Sequence, residues 1–364
     1  DRFSALGPYL GCIGSVDQGA GQGAKELFIT TLERFSGCPW QVFVERLLGL
    51  ESVSDPTFQV PGLDKRILGN IVHDVLGSIA TQHGVPSHME LPAAPAEREV
   101  ETRFPDKEAL RALVDVTTAE HWSRAFPGFP ALKALLASQA MAYLESARRL
   151  DWSASGQALA MVGTEINGES SVVDGGGVER SIRFRVDRVH GESEALIFAD
   201  YKTGKVFSSA KTESGRRRHF LAALCRGEAL QGVAYARTKA QHTVRGRYLF
   251  LEPELEDEAR TWSIYADDRQ VQDIYESVMR TLLRGWDEGS FFPRLVEPGT
   301  DREPSRCSYC SVAEACSRGD SGSRGRLLRW EAATGEALEA GAELTAGETG
   351  FFELWRLGVK KEGA

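Results

Sequence analysis

Several absences narrow the possibilities for this chain before any motif is considered. No apolar run approaches the roughly 20 residues of a membrane-spanning helix, and no signal peptide opens the sequence. No Gly-x4-Gly-Lys-Ser/Thr loop is present, so an ATP-driven motor of that type must lie elsewhere. No internal repeat is visible, which excludes a solenoid or propeller. Positive charge is not in excess: 43 Lys and Arg against 52 Asp and Glu leave a net −9. That argues against wholesale coating of nucleic acid and leaves a local basic groove open. Six cysteines in 364 residues are too sparse for a disulfide scaffold, and a reducing cytoplasm is the expected compartment. The chain starts on Asp1 rather than Met, which suggests a segment of something larger.

What is present is ordinary globular material, 42% hydrophobic and 26% charged, and the length predicts two or three domains. Residues 1–26 are rich in Gly and Ser and read as a linker or interdomain remnant. "FITTLERFSGCPWQVFVERLLGLES" gives two helical stretches broken at Gly37-Cys38-Pro39, with Pro39 suited to a first helical turn. "LDKRILGNIVHDVLGSIATQHG" is an amphipathic helix with Ile67, Ile71, Leu76 and Ile79 on its apolar side and Gly84 as its stop. Residues 90–105 read as an exposed connection, followed by helices over 107–125 and 129–150. Near 155 the texture turns to strands ("ALAMVGTEI", "RSIRFRVDRVH", "EALIFADYKTG"), then helix, strand and helix again. The prediction is a helical segment over 27–150, a mixed-sheet core over 151–318 and a tail of unassigned role over 319–364. The fold class is α/β, with α+β as the alternative.

The core ends one apolar strand with "FADYKTGK". Strand alternation puts Asp200 and Lys202 on one face and Tyr201 on the other. Asp187 lies near the end of the preceding strand, and an antiparallel hairpin would bring both carboxylates to one divalent ion. Mg²⁺ takes oxygen ligands in octahedral array. Two acids and a lysine are a minimal kit for metal-assisted phosphodiester hydrolysis. "DxK" alone could equally be a surface ion pair. His73 reads either as a partly buried histidine or as a further ligand from a helix over the sheet. Glu165 reads as a solvated strand end more readily than as another acid at the rim. Arg216, Arg217 and Arg218 form a basic loop that is either solvated or a phosphate contact.

"CSYCSVAEAC" places Cys307, Cys310 and Cys316 in one turn-rich segment. A closed tetrahedral site or a cubane cluster needs a fourth thiolate. Cys12, Cys38 and Cys225 are the candidates, and Cys38 sits at a helix break where a ligand is reasonable. Such a site would staple the N-terminal helices to the C-terminal end.

These pieces, in this order, resemble the RecB-type branch of the PD-(D/E)XK nucleases, nearest to the iron-sulfur nuclease domain of AddB-like helicase-nuclease subunits. The likeness runs from about 28 to 318. "LERFSGCPWQVFVERLLGL" is similar to the segment carrying the first cluster cysteine, "LGNIVHDVL" to the histidine motif and "RVDRV" to the GxxDRxD motif. "FADYKTGK" is similar to the DYKTG strand and "LQGVAYA" to the QxxxY motif. The resemblance implies a restriction-endonuclease-like fold with a 4Fe-4S cluster on Cys38, Cys307, Cys310 and Cys316, though thiolates alone leave Zn²⁺ open. It implies Mg²⁺ (or Mn²⁺) held by His73, Asp187, Asp200 and the carbonyl of Tyr201, with Lys202 as the catalytic lysine. It also implies DNA contact by Gln231 and Tyr235, and a helicase partner feeding single-stranded ends. A free-standing nuclease of the four-cysteine CRISPR-associated kind and a catalytically inactive DNA-binding scaffold are the alternatives.

Overall fold

The computed structural model describes residues 6, 10–14, 26–51, 65–92, 95–125, 130–152, 158–192, 195–238 and 243–359. One six-stranded sheet organises them: β1 (Val100–Thr102), β2 (Leu159–Val173), β3 (Glu179–Glu192), β4 (Ala195–Lys202), β5 (Thr243–Phe250) and β6 (Thr261–Tyr265), in that spatial order. Neighbours are antiparallel except β4 and β5, which run parallel. A parallel pair needs a crossover, and α6 (Glu213–Cys225) with α7 (Leu230–Ala236) supplies it, while the short α8 (Asp257–Arg260) leads from β5 into β6. The mixed sheet is thus the expected one, and helices flank it on both faces.

β4 is apolar on both faces because both are covered. Leu196 and Phe198 enter a core shared with α1 (Ile29–Gly37), α7 and α9 (Arg269–Asp287). Ala195, Ile197, Ala199 and Tyr201 enter a second core with α3 (Lys65–Gln82), α4 (Lys107–Ala125) and α5 (Pro130–Ala147). Each fully buried Leu, Ile or Phe there contributes roughly 1.5–3 kcal/mol. α3 buries Leu68, Ile71, Val72, Val75, Leu76 and Ile79, and the chain leaves it at Gly84 with φ +83, a left-handed turn that suits glycine. Pro39 opens α2 (Pro39–Val42) as expected.

Three stretches differ from the sequence reading. Within 90–105, β1 adds an edge strand to β2. Part of the N-terminal segment is docked: Leu6 and Leu10 are buried, and Cys12 bridges to Ser290. The segment after 319 packs on the chain's own core as α10 (Ser321–Glu339) and α11 (Ala346–Trp355). Trp330, Phe351, Leu354 and Trp355 are buried, with the Phe292 and Phe351 rings 4.2 Å apart. A capping box starts α11, Thr345 accepting from the Glu348 N–H and Glu348 accepting from Thr345 N. Thr345→Ala is expected to lower stability by about 1 kcal/mol, read from urea unfolding. Among the described residues no helix is long and apolar enough to cross a membrane.

Candidate active site

The β3–β4 register pairs Arg188 with Ala199 and so carries Asp187 to the level of Asp200. Asp200 lies near the end of β4, whereas Asp187 sits within β3 rather than near its end as expected, because β3 runs on to Glu192 to pair with the start of β4. Asp187 Oδ2 accepts from the Tyr201 backbone N–H at 2.7 Å and lies 3.4 Å from His73 Nδ1. Asp200 Oδ2 lies 2.6 Å from Lys202 Nζ, and Asp200 Oδ1 accepts from the Tyr235 hydroxyl at 3.1 Å. Lys202 Nζ also donates to Gln231 Oε1 at 2.9 Å. The first-principles pairing of acid, acid, lysine and histidine is therefore realised in one place.

The electrostatics follow from packing charges at a dry strand end. Burial alone would lower the His73 imidazole, but Asp187, with Asp200 behind it, reverses that and lifts it to about 9. Burial pushes the Asp187 carboxyl up, yet His73, Lys202 and the Tyr201 N–H together hold it below the usual carboxylate range. Asp200 goes the other way: burial and Asp187 outweigh Lys202 and raise it. Burial would lower Lys202, but Asp200 and Glu33 keep it raised and charged. Two carboxylates that environment drives apart are a common mark of a working site.

Behind the site lies a buried support. Arg188 and Asp151, with side chains 1% and 4% exposed, form a bidentate pair at 2.5 and 2.9 Å. Arg188 also donates to the Tyr201 hydroxyl, which itself donates to Asp151 Oδ2 at 3.0 Å. The Tyr201 ring stands edge-on to His73, centroids 6.2 Å apart. Tyr201 thus points away from the acids, as strand alternation requires, and leaves its backbone at the site.

In front of it opens a cleft of about 1250 Å³. Its walls include His73, Asp187, Asp200, Lys202 and Gln231, and its outer lining carries Arg34, Lys65, Arg66 and Arg185 together with the acids Asp74 and Glu120. Glu165 also lines it, contrary to the reading of a solvated strand end. Its φ is +50, and the β2–β3 register sets it beside Asp187. Burial and Asp187 raise its carboxyl to about 7. A non-glycine residue in the left-handed region is strained, and such strain gathers at functional sites.

The expected DNA contacts are distributed differently. Arg216, Arg217 and Arg218 lie on α6, not in a loop. Arg217 is paired with Asp268 at 2.7 and 3.0 Å, and Arg216 donates to Lys211 O. None of the three lines the catalytic cleft. Gln231 and Tyr235 sit on α7, 8% and 0% exposed, and brace Lys202 and Asp200. Tyr235 has no open ring face on which a base could stack.

A hard oxygen set of Asp187, Asp200 and Glu165 with one imidazole is chemically suited to a divalent cation. Asp200 Oδ2, buried, has no hydrogen-bond partner beyond its ion contact with Lys202. In this conformation Asp200 is turned onto Lys202 and Asp187 onto His73. Accordingly, among the described residues no three His, Cys, Asp or Glu side chains enclose an ion position.

The same holds for the cysteines, whose segments are nonetheless brought together. Cys38 ends α1 in extended conformation. Just after it, Trp40 Nε1 donates to Ala315 O at 2.8 Å and Gln41 donates to Ser311 Oγ at 3.1 Å. Burial pushes Cys307 and Cys316 up to about 11 and raises Cys310, and the Cys38 thiol adds to all three. As thiolates, Cys307, Cys310 and Cys316 would be opposed by one at Cys38, and a cation-bearing group would offset that repulsion.

No curated protein matches this chain. A solved structure described as "Crystal structure of SSO0001" is similar at 12% identity, covering 70% of this chain and 96% of that one, with a TM-score of 0.24. A family model for the PD-(D/E)XK nuclease superfamily matches residues 27–317, a span that includes His73, Glu165, Asp187, Asp200 and Lys202 of the cleft. The chain belongs to the PD-(D/E)XK nuclease superfamily.

Proposed function

We propose that the protein hydrolyses DNA phosphodiester bonds with Mg²⁺ or Mn²⁺. The observation that carries this is the meeting of Asp187, Asp200, Lys202 and His73 in one cleft that Arg34, Lys65, Arg66 and Arg185 also line. Asp187, Asp200 and His73, with Glu165 and the Tyr201 carbonyl alongside, are the residues that would hold the ion. When bound, it supplies a water of lowered pKa and offsets charge developing on the scissile phosphate. Lys202, held between Asp200 and Gln231, presents its ammonium to the attacking water or the phosphate. Arg34, Lys65 and Arg185 at the rim seat the phosphates on either side.

In this reading the domain is of the RecB type, and Cys38, Cys307, Cys310 and Cys316 hold a 4Fe-4S cluster. Its work is to trim single-stranded ends delivered by a helicase partner in the cytoplasm, in double-strand break repair or recombination. The likeness of the ordered motifs to the AddB-like nucleases supports these finer points.

The test is cleavage of labelled single-stranded DNA by anaerobically purified protein, with Mg²⁺ against EDTA, beside Asp200→Ala. Metal-dependent cleavage that the variant loses is the expected result. Intact DNA binding with no cleavage by either protein would favour the inactive scaffold. Iron, sulfide and zinc content of the same preparation decides what the thiolates hold.

A further inference from the structure

α7 carries both side chains that brace the catalytic pair, yet it starts badly. Its N-cap position is Ala229, at φ +59, which has no side-chain acceptor. The first N–H groups of a helix have no partner within it. Here Glu33, reaching across from α1, takes that place: its Oε1 accepts from Gln231 N at 3.0 Å, and its carboxylate also receives the Leu230 N–H. One turn along α1, Ser36 Oγ donates to Gly227 O at 3.0 Å and ties down the loop that leads into α7. From that helix, Gln231 Oε1 accepts from Lys202 Nζ and the Tyr235 hydroxyl donates to Asp200 Oδ1.

We propose that Glu33 is a positioning residue for the catalytic centre, capping α7 from another helix and so fixing where Gln231 and Tyr235 hold Lys202 and Asp200. An ordinary cap would come from the residue just before the helix and would stabilise that helix alone. A cap from α1 instead locks the angle of α7 to the sheet edge, where a small displacement moves both braces together. The proposal rests on the nuclease reading above. It predicts that an amide, whose oxygen also accepts the two N–H groups, replaces the carboxylate.

The experiment compares wild type, Glu33→Ala and Glu33→Gln by Mg²⁺-dependent DNA cleavage and by hydrogen exchange of the Leu230 and Gln231 amides. Glu33→Ala is expected to speed exchange at those amides and to lower kcat roughly 10- to 100-fold with KM unchanged, as misplaced catalytic groups do. Glu33→Gln is expected to restore slow exchange and most of the kcat. Unchanged exchange or unchanged kcat in Glu33→Ala overturns the proposal. So does a kcat loss that Glu33→Gln shares, since that would mean Glu33 acts through its charge. A wild type that protects the amides but cleaves nothing overturns the nuclease reading and the positioning role with it, a result distinct from failure of Glu33 alone.

Discussion

Lys202→Met is expected to lower the single-turnover rate of DNA cleavage by roughly a thousandfold, at the upper end for one preorganised electrostatic group, while DNA affinity measured in Ca²⁺ stays within about twofold of wild type. Methionine keeps the apolar stem and removes only the ammonium, which lies 2.6 Å from Asp200 and 2.9 Å from Gln231. A rim lysine would behave oppositely, losing affinity rather than rate. A second consequence separates the two cases. Asp187 helps to raise Asp200, and Lys202 is one of the cations that offsets both carboxylates. Without it the apo protein carries more unbalanced negative charge at the strand ends. Mg²⁺ should therefore raise the melting temperature of Lys202→Met by more than it raises that of wild type. A near-native cleavage rate would remove Lys202 from the chemistry altogether.

Arg188→Met is expected to destabilise the fold by about 3–5 kcal/mol, because Asp151 is left buried without its partner. Urea unfolding measures this, and the double variant Arg188→Met with Asp151→Leu should recover most of the loss. Buried ion pairs are asymmetric in this respect: replacing both charges is tolerated, stranding one is not. The site feels the change as well. Tyr201 loses the guanidinium that anchors its hydroxyl, while its backbone N–H still carries Asp187. Cleavage should fall further in Arg188→Met than in a surface variant of equal stability. If the single variant is as stable as the double, the pair is not the keystone described here.

The reach of sequence reasoning can be judged residue by residue. Asp187, Asp200 and Lys202 were legible because strand periodicity and a short turn leave little choice of neighbours. His73 was legible as a polar residue set among the buried Ile71, Val72 and Val75 of α3. Glu165 was misjudged, since strand alternation says nothing about a left-handed residue that re-aims the chain. Glu33 carried no signal: its role depends on a helix some 200 positions later. In "HFLAALCRGEALQGVAYARTKA" the apolar residues continue through the break at Gly227 and Ala229, both at positive φ, so spacing alone predicts one helix where the structure has two. The short edge strands β1 and β6 were missed because three to five residues hold too few alternations to stand out.

The sequence by itself determined the local matters: the longer helices and strands, which face of β4 carries acid and lysine, and the order of motifs by which the family is known. These depend on side-chain periodicity and short turns, which act over a few residues. Tertiary structure alone decided the long-range pairings. It set Asp151 under Arg188, Glu33 on α7 and the Cys38 segment against the Cys307–Cys316 segment. It turned Arg217 away to Asp268 and folded the last helices onto the chain's own core. Each is a contact between segments far apart in sequence, where burying charge and apolar surface together leaves one satisfactory arrangement. No pattern within either segment encodes its partner.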